Sequence, residues 1–187
     1  MSDQVDHFAA LGLERSAALD ESVVRERFHA LSREVHPDTD GGDELAFAAI
    51  NEAQRILTSP AARVRHLLEL EFGEQAGGAV ATGGMSGALM ELFGSVGGVI
   101  TRADGLVAKR GAASSAVARA LLAGEEIEVQ QQLMAAGGQL MARRRELEEG
   151  LGEISLGDQE ALAAAAHELA FLEKWQRQVQ ERMAALI

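Results

Sequence analysis

The sequence contains no cysteine and no tyrosine, and aromatic residues make up only 4% of its 187 positions. Without cysteine the chain has no disulfide, no thiolate metal ligand and no cysteine nucleophile. Alanine and leucine supply much of its 47% hydrophobic content, and runs of β-branched residues are few, which favours helices over strands. We therefore expect an all-α protein.

Basic residues are also scarce, because 17 Lys and Arg stand against 29 Asp and Glu and give a formal net charge of −12. A surface of that sign repels a phosphate backbone, so we expect no nucleic-acid partner. The first residues, "MSDQVDHF", carry acids where a signal peptide has a basic patch before an apolar run. We expect an unexported, cytoplasmic protein.

One stretch, residues 76–100, is long enough to span a bilayer and holds a single charged residue, Glu91. Its first half consists mainly of glycine, alanine and threonine, which are only weakly apolar, and Glu91 would lie in the membrane without a partner. We interpret the stretch as a flexible linker followed by a glycine-weakened helix. We therefore expect no membrane association.

The N-terminal third shows helical periodicity in three segments, residues 20–35, 42–59 and 61–70. Each segment repeats apolar residues at steps of three and four, which predicts a helix with one buried face. Pro37 ends the first helix, because the residue before a proline avoids helical geometry. The first two segments are predicted to form an antiparallel pair of helices joined by a short loop.

The C-terminal half is also helical by pattern. Apolar residues recur at heptad or similar spacing in residues 126–149 and 158–187, which is typical of a helix bundle or coiled coil. Residues 101–125 are rich in alanine but are interrupted by Gly105 and Gly111. We predict a second all-α domain of about three helices, with its start less well specified.

The loop after the first long helix carries His36, Pro37 and Asp38, followed by acids and two glycines. His36 and Asp38 have no serine or cysteine nucleophile tied to them, which argues against an enzyme active site. An EF-hand loop starting at Asp38 would need glycine at its sixth position and glutamate at its twelfth, but the sequence has Asp43 and Ala49 there, which argues against a calcium site. A zinc site needs three or four convergent ligands, and His29, His36 and Asp38 would be a thin set. We predict that the protein is not an enzyme and binds no metal or cofactor. We predict instead that the loop presents polar groups to another protein.

The remaining histidines, His7, His66 and His167, are scattered, and ordinary positions on a helix surface explain each of them.

The motifs on both sides of the loop, taken in their order along the chain, carry a specific resemblance. "DHFAALGL" (6–13), an amphipathic helix, "HPD", a helix with "INEAQRIL" (50–57) and then "SP" follow one another as in a J-domain, which this segment resembles. The J-domain is the module by which DnaJ-type co-chaperones activate DnaK-type chaperones.

The resemblance implies which residues bind the chaperone. They belong to the HPD loop and to the second helix: His36, Pro37, Asp38, Arg27 and Arg33. Docked on the ATPase domain of the chaperone, they would promote ATP hydrolysis. An exposed carboxylate such as Asp38 can accept a bidentate arginine from a partner, and Pro37 would fix the loop. For the two arginines, ordinary solvation of a helix face is the alternative.

The resemblance continues beyond the J-domain. "INEAQRILTSPAARVRHLLELEFG", followed by a helical domain that ends in "HELAFLEKWQRQVQERM", is similar to the HscB family, which delivers an iron–sulfur scaffold protein to a DnaK-type partner. It implies a client-binding patch of apolar side chains: Leu89, Met90, Phe93 and Phe171. Core packing is the alternative for the first three, and we assign Trp175 and Leu172 to the core.

These observations predict a J-domain over 1–72, a glycine-rich linker over 73–84 and a C-terminal helical client-binding domain over 85–187. The predicted function is that of a co-chaperone that stimulates ATP hydrolysis by a DnaK-type chaperone and delivers a client, the iron–sulfur cluster assembly scaffold first among candidates. Two alternatives stand beside it. One is a J-domain co-chaperone with a different client, and the other is a J-like helical interaction protein without chaperone coupling.

Overall fold

The computed structural model describes residues 5–36, 42–73, 75–76 and 87–187. These residues contain helices and no strand, which confirms the all-α prediction. The described helices are, in chain order, α1 (His7–Ala10), α2 (Glu21–Val35), α3 (Glu44–Thr58), α4 (Pro60–Phe72), α5 (Gly87–Ala112), α6 (Ala116–Gly150) and α7 (Gln159–Ala185). A 3-10 turn, Leu151–Glu153, follows α6. Among the described residues, no helix combines the length and apolarity needed to cross a bilayer.

Side-chain caps explain where the helices of the N-terminal region begin. Asp20, Asp43 and Ser59 each accept a hydrogen bond from a backbone N–H in the first turn of α2, α3 and α4 respectively. Pro60 occupies the first turn of α4, where its missing N–H costs nothing. Helix α2 ends at Val35. The boundaries therefore follow from local residue chemistry, as the sequence predicts.

The chain divides into two compact units, the first spanning Met1–Gly83 with Leu147–Ala170 and the second spanning Gly84–Glu146 with Phe171–Ile187. The first unit encloses one core of buried apolar side chains: Phe8, Leu11, Ala17, Val24, Ile50, Ala53, Ile56, Leu57, Ala61, Val64, Leu67, Leu68, Leu151, Leu162, Ala165, Ala166 and Leu169. Residues 147–170, which we expected in the C-terminal domain, therefore pack with the N-terminal helices.

The reason for this packing is an apolar face at the start of α7. Leu162, Ala166 and Leu169 recur at steps of four and three, so they share one side of the helix. Burial of that side in the first core stabilises the folded state by about 25 cal/mol for each Å² of apolar surface removed from water. The compact units thus differ from the predicted boundaries, while the division into functional domains stays a prediction.

The second unit is built from α5, α6 and the end of α7, in keeping with the three helices predicted for the C-terminal half. Its buried side chains include Leu89, Val96, Ile100, Ala103, Leu106, Val129, Leu133, Ala136, Leu140, Leu172, Trp175, Val179 and Leu186. Ion pairs join the helices at their edges. Glu128 on α6 lies 2.6 Å from Arg102 on α5, and Asp104 on α5 lies 3.0 Å from Arg182 on α7.

Helix α5 runs without a break through Gly105 and Gly111, where we expected interruptions. A glycine in a helix interior costs about 1 kcal/mol relative to alanine. The buried side chains of Val96, Ile100 and Leu106 on the same helix offset that cost, because tertiary packing supplies most of the stability of a helix in a protein.

Candidate chaperone-binding site

The candidate site lies at one end of the α2–α3 pair. Helix α2 packs on α3 and contributes Val24, which is fully buried, together with Phe28 and Leu31, which are partly buried against the same core. Ile50 and Leu57 of α3 complete this contact from the other side. The loop between the two helices is therefore held at the end of a packed hairpin, as predicted.

A backbone hydrogen bond closes the base of this loop. The N–H of Asp43 donates to the carbonyl oxygen of Val35 over 3.2 Å, and the Asp43 side chain caps α3. His36 is exposed and its ring lies edge-on to that of Phe47, with 5.2 Å between the ring centres. Both ends of the loop are thus fixed to rigid helices. Pro37 and Asp38, the other two residues of the triplet, lie outside the described residues.

Arg27 makes hydrogen bonds to another segment of the first unit, which its sequence context did not indicate. Its Nε donates to the carbonyl oxygen of Leu11 over 3.2 Å, and its Nη2 lies 3.4 Å from the carbonyl oxygen of Gly12. Gly12 adopts a φ of +61°, and a Cβ atom there would lie 2.5 Å from Nη2. Arg27 therefore connects α2 to the segment that follows α1. Its predicted contact with a chaperone stays a prediction.

Two other arginines of α2 contact residues of the same helix. Arg33 is exposed and its Nε donates to the carbonyl oxygen of His29, one turn earlier, over 3.2 Å. Arg25 forms an ion pair with Glu21 of the same helix. Arg33 lies in the last turn of α2, three residues before His36, and its predicted contact with a chaperone stays a prediction.

The predicted client-binding residues differ in their exposure within the second unit. Phe93 and Phe171 come together, with 5.8 Å between their ring centres, and Phe93 also packs edge-on against Trp175 at 4.9 Å. Met90 is 57% exposed and Phe93 is 43% exposed. Leu89 is only 2% exposed, so the core-packing alternative describes its side chain.

Trp175 is buried, as predicted, and it packs closely on α5. A Cβ atom built on Gly97 would lie 3.3 Å from the far edge of the indole ring, so the absence of a side chain at this position makes room for the tryptophan. The ring of Phe171 stacks on Trp175 with 5.7 Å between centres. The partly exposed Phe93 therefore packs against two other aromatic rings, those of Phe171 and Trp175.

His66 was expected on a helix surface, and that expectation is wrong. The residue is 5% exposed, and its Nε2 accepts a hydrogen bond from the backbone N–H of His7 over 3.1 Å. Its ring stacks near that of Phe8 in the core. Burial is the main reason that the pKa of His66 falls to about 4.

Comparison with known proteins shows which proteins this chain is similar to. The DnaJ domain model matches residues 6–66. The Co-chaperone protein HscB homolog of Azoarcus sp. is 29% identical over 193 residues, covering 98% of this chain and 96% of that protein. The Chaperone protein DnaJ of Lacticaseibacillus casei is 38% identical over 68 residues, covering 35% of this chain and 17% of its own length.

A solved structure extends the likeness to the whole fold. Chaperone HscB from Vibrio cholerae superposes with a TM-score of 0.61 at 21% identity, covering 98% of this chain and all of that one. The relatives carry names of chaperones and co-chaperones rather than enzymes. Together the matches support a co-chaperone of a DnaK-type chaperone. Residues 6–66 therefore match the DnaJ domain, and the chain resembles an HscB co-chaperone homolog along almost its whole length.

Proposed function

We propose that this protein stimulates ATP hydrolysis by a DnaK-type chaperone through its α2–α3 loop and delivers a client to that chaperone. The iron–sulfur cluster assembly scaffold is the first candidate for the client, because the HscB family serves that process. The observation that carries the proposal is the HscB homolog match, which covers 98% of the chain and so extends far beyond the DnaJ domain. A cytoplasmic location belongs to the same proposal.

The loop acts by docking rather than by chemistry of its own. Asp38 supplies a carboxylate that accepts a bidentate arginine from the ATPase domain, and Pro37 restricts the backbone beside it. His36, in contact with Phe47, sets where the loop leaves α2. Arg33 adds a cation on the same exposed surface. Arg27 contributes through the geometry of the hairpin, since its guanidinium is already bonded to backbone carbonyls.

The variant Asp38→Asn tests the chaperone half of the proposal. We expect it to lose most of the stimulation of steady-state ATP hydrolysis, because a neutral amide cannot form the charge-assisted bidentate pair. Asp43→Asn is the matched control, since asparagine also caps a helix and Asp43 lies at the base of the same loop. Equal stimulation by all three proteins would overturn the assignment. No stimulation by wild type would favour an association-only protein.

The double variant Met90→Ala/Phe93→Ala tests the client half. Side chains of this kind at the centre of an interface each contribute about 1–2 kcal/mol or more, so we expect scaffold binding at least about tenfold weaker. The additional ATP hydrolysis caused by the scaffold should fall in parallel, while scaffold-free stimulation stays unchanged. Leu121→Ala, at a residue that is 79% exposed on α6, is the control. Unaltered scaffold affinity in the double variant would remove this patch from the client surface.

A further inference from the structure

The exposed side of α3 changes from apolar to charged along the helix. Its residues follow one another at steps of three and four, so they share one side of the helix: Leu45, Ala48, Glu52 and Arg55. Glu52 and Arg55, at the end away from the α2–α3 loop, form an ion pair with each other. Leu45 and Ala48, at the end next to the loop, are apolar. We call these two residues the α3 patch.

The side chain of Leu45 makes little use of the protein's own core. It is 83% exposed, whereas the other large apolar side chains of α3 are partly or fully buried. Residues 45–51 also carry no charge, in a chain of which 25% of the residues are charged. A single exposed leucine is ordinary on a protein surface, so the meaning of the α3 patch depends on where it lies.

The α3 patch lies at the base of the candidate chaperone-binding loop. The N–H of Leu45 donates to the carboxylate of Asp43 over 2.9 Å, and the N–H of Asp43 closes the loop on Val35. Ala48 follows within about 8 Å of Asp43 along the helix axis. A protein interface of standard size covers about 800 Å² on each partner, which corresponds to a disc of about 16 Å radius. A chaperone docked on the loop is therefore within reach of the α3 patch.

The charges beside the α3 patch favour the chaperone over a second copy of this chain. Four acidic residues come shortly before Leu45 in the sequence: Asp38, Asp40, Asp43 and Glu44. A second copy would bring these acids against one another, and the net charge of −12 adds to that repulsion. The arrangement instead matches a partner whose basic groups border an apolar surface. The proposed docking of Asp38 on an arginine of the ATPase domain supplies such a basic group.

We propose that Leu45, with Ala48 beside it, is a contact residue for the DnaK-type chaperone and packs on apolar side chains next to the arginine that receives Asp38. This inference rests on the proposed function and deepens it, because it adds an apolar contact to a site otherwise described by its polar residues. Leu45 contributes affinity, whereas Asp38 contributes stimulation. The two residues therefore affect different parameters of the same measurement.

Steady-state ATP hydrolysis by the chaperone, measured over a range of concentrations of the full-length co-chaperone, separates these parameters. We expect Leu45→Ala to raise the concentration that gives half-maximal stimulation at least about fivefold, since it removes apolar surface buried in the contact. Maximal stimulation should stay near that of wild type. Leu45→Glu should raise this concentration further. Glutamate is favourable in the first turn of a helix, so this variant should keep the stability of α3, which urea unfolding checks.

Leu121→Ala is the matched control, because Leu121 is a leucine of similar exposure, 79%, in the second unit. It should leave the half-maximal concentration within about twofold of wild type. Wild-type behaviour of both Leu45 variants, together with lost stimulation in Asp38→Asn, would overturn this inference and leave the proposed function standing. Equal weakening by Leu45→Ala and Leu121→Ala would also overturn it. Absence of stimulation by wild type would overturn the inference together with the function on which it rests.

Discussion

The variant Arg63→Met is expected to lower the free energy of unfolding of the first unit by about 2–5 kcal/mol. Arg63 is 3% exposed, although arginine is among the residues least often fully buried. Its Nε donates to the carbonyl oxygen of Ala17 over 2.9 Å, and its Nη1 donates to that of Leu57 over 2.8 Å. Methionine replaces much of the side-chain volume but supplies no donor.

The locations of the two carbonyl groups explain why they need the Arg63 guanidinium as a hydrogen-bond donor. Leu57 lies in the last turn of α3, where carbonyl oxygens have no partner within the helix and carry the negative end of the helix dipole. Ala17 is buried in the segment between α1 and α2. Each buried carbonyl left without its donor costs about 1–3 kcal/mol. Arg63 therefore holds three parts of the first unit together from within.

Arg65→Met is the matched control for this experiment. Arg65 lies on the same helix, but its side chain is 54% exposed and its ion pair with Glu69 measures 3.8 Å, so its loss should cost less than about 1 kcal/mol. Urea unfolding followed by far-ultraviolet circular dichroism measures both variants. Trp175 belongs to the second unit, so its fluorescence would not report this one. A loss below 1 kcal/mol for Arg63→Met would show that water satisfies the two carbonyls.

The helices of the N-terminal region were predictable because their signals are local. Asp20 and Ser59 act as caps through atoms two or three residues away, and a sequence window of that length contains the information. The buried roles of Arg63 and His66 were not predictable in the same way. One partner of Arg63 and the partner of His66 are 46 and 59 residues away in sequence. They are backbone atoms, which every residue carries, so residue identity does not reveal them.

In the candidate site, too, some features could be predicted from the sequence and others could not. The HPD triplet and the apolar residues around it identified the loop, because side-chain identity carries that resemblance. Arg27 was grouped with Arg33 as a cation on α2, yet only the structure shows that Arg27 donates to the carbonyl of Leu11 in another segment, whereas Arg33 donates to that of His29 on its own helix. Likewise, the apolar face that includes Leu162 and Leu169 could pack in the core of either unit, so the sequence pattern alone could not predict that the start of α7 packs in the first unit.

The second large expected effect is a loss of stability as the solution becomes acidic. His66 is buried, and its Nε2 must be unprotonated to accept the hydrogen bond from the N–H of His7. Burial first, and then the nearby His7, lower the pKa of His66 from 6.5 to about 4, against the opposing influence of Asp6. Burial also lowers the pKa of His7, whose ring centre lies 4.5 Å from that of His66.

The sign of the effect follows from proton linkage. With a pKa near 4 in the folded protein and 6.5 in the unfolded chain, His66 takes up a proton on unfolding at any pH between these values. Unfolding is therefore favoured by acid in this window. Stability is complete above pH 6.5 and falls as the pH drops towards 4, by about 2 kcal/mol between pH 7.5 and 5.

Urea unfolding at pH 7.5 and pH 5, with wild type and His66→Gln, measures this contribution. Glutamine can accept the bond from His7 but does not titrate, so the variant should lose most of the pH dependence while being less stable at pH 7.5 through weaker packing on Phe8. His29→Gln, at an exposed histidine of α2, should keep the wild-type pH dependence. If His66→Gln kept it too, the proton taken up on unfolding would belong to another group. Because His66 and His7 join α4 to α1, acid should loosen that junction. The cap of α2 should persist to lower pH, because the hydrogen bond from the Ser22 N–H lowers the pKa of Asp20.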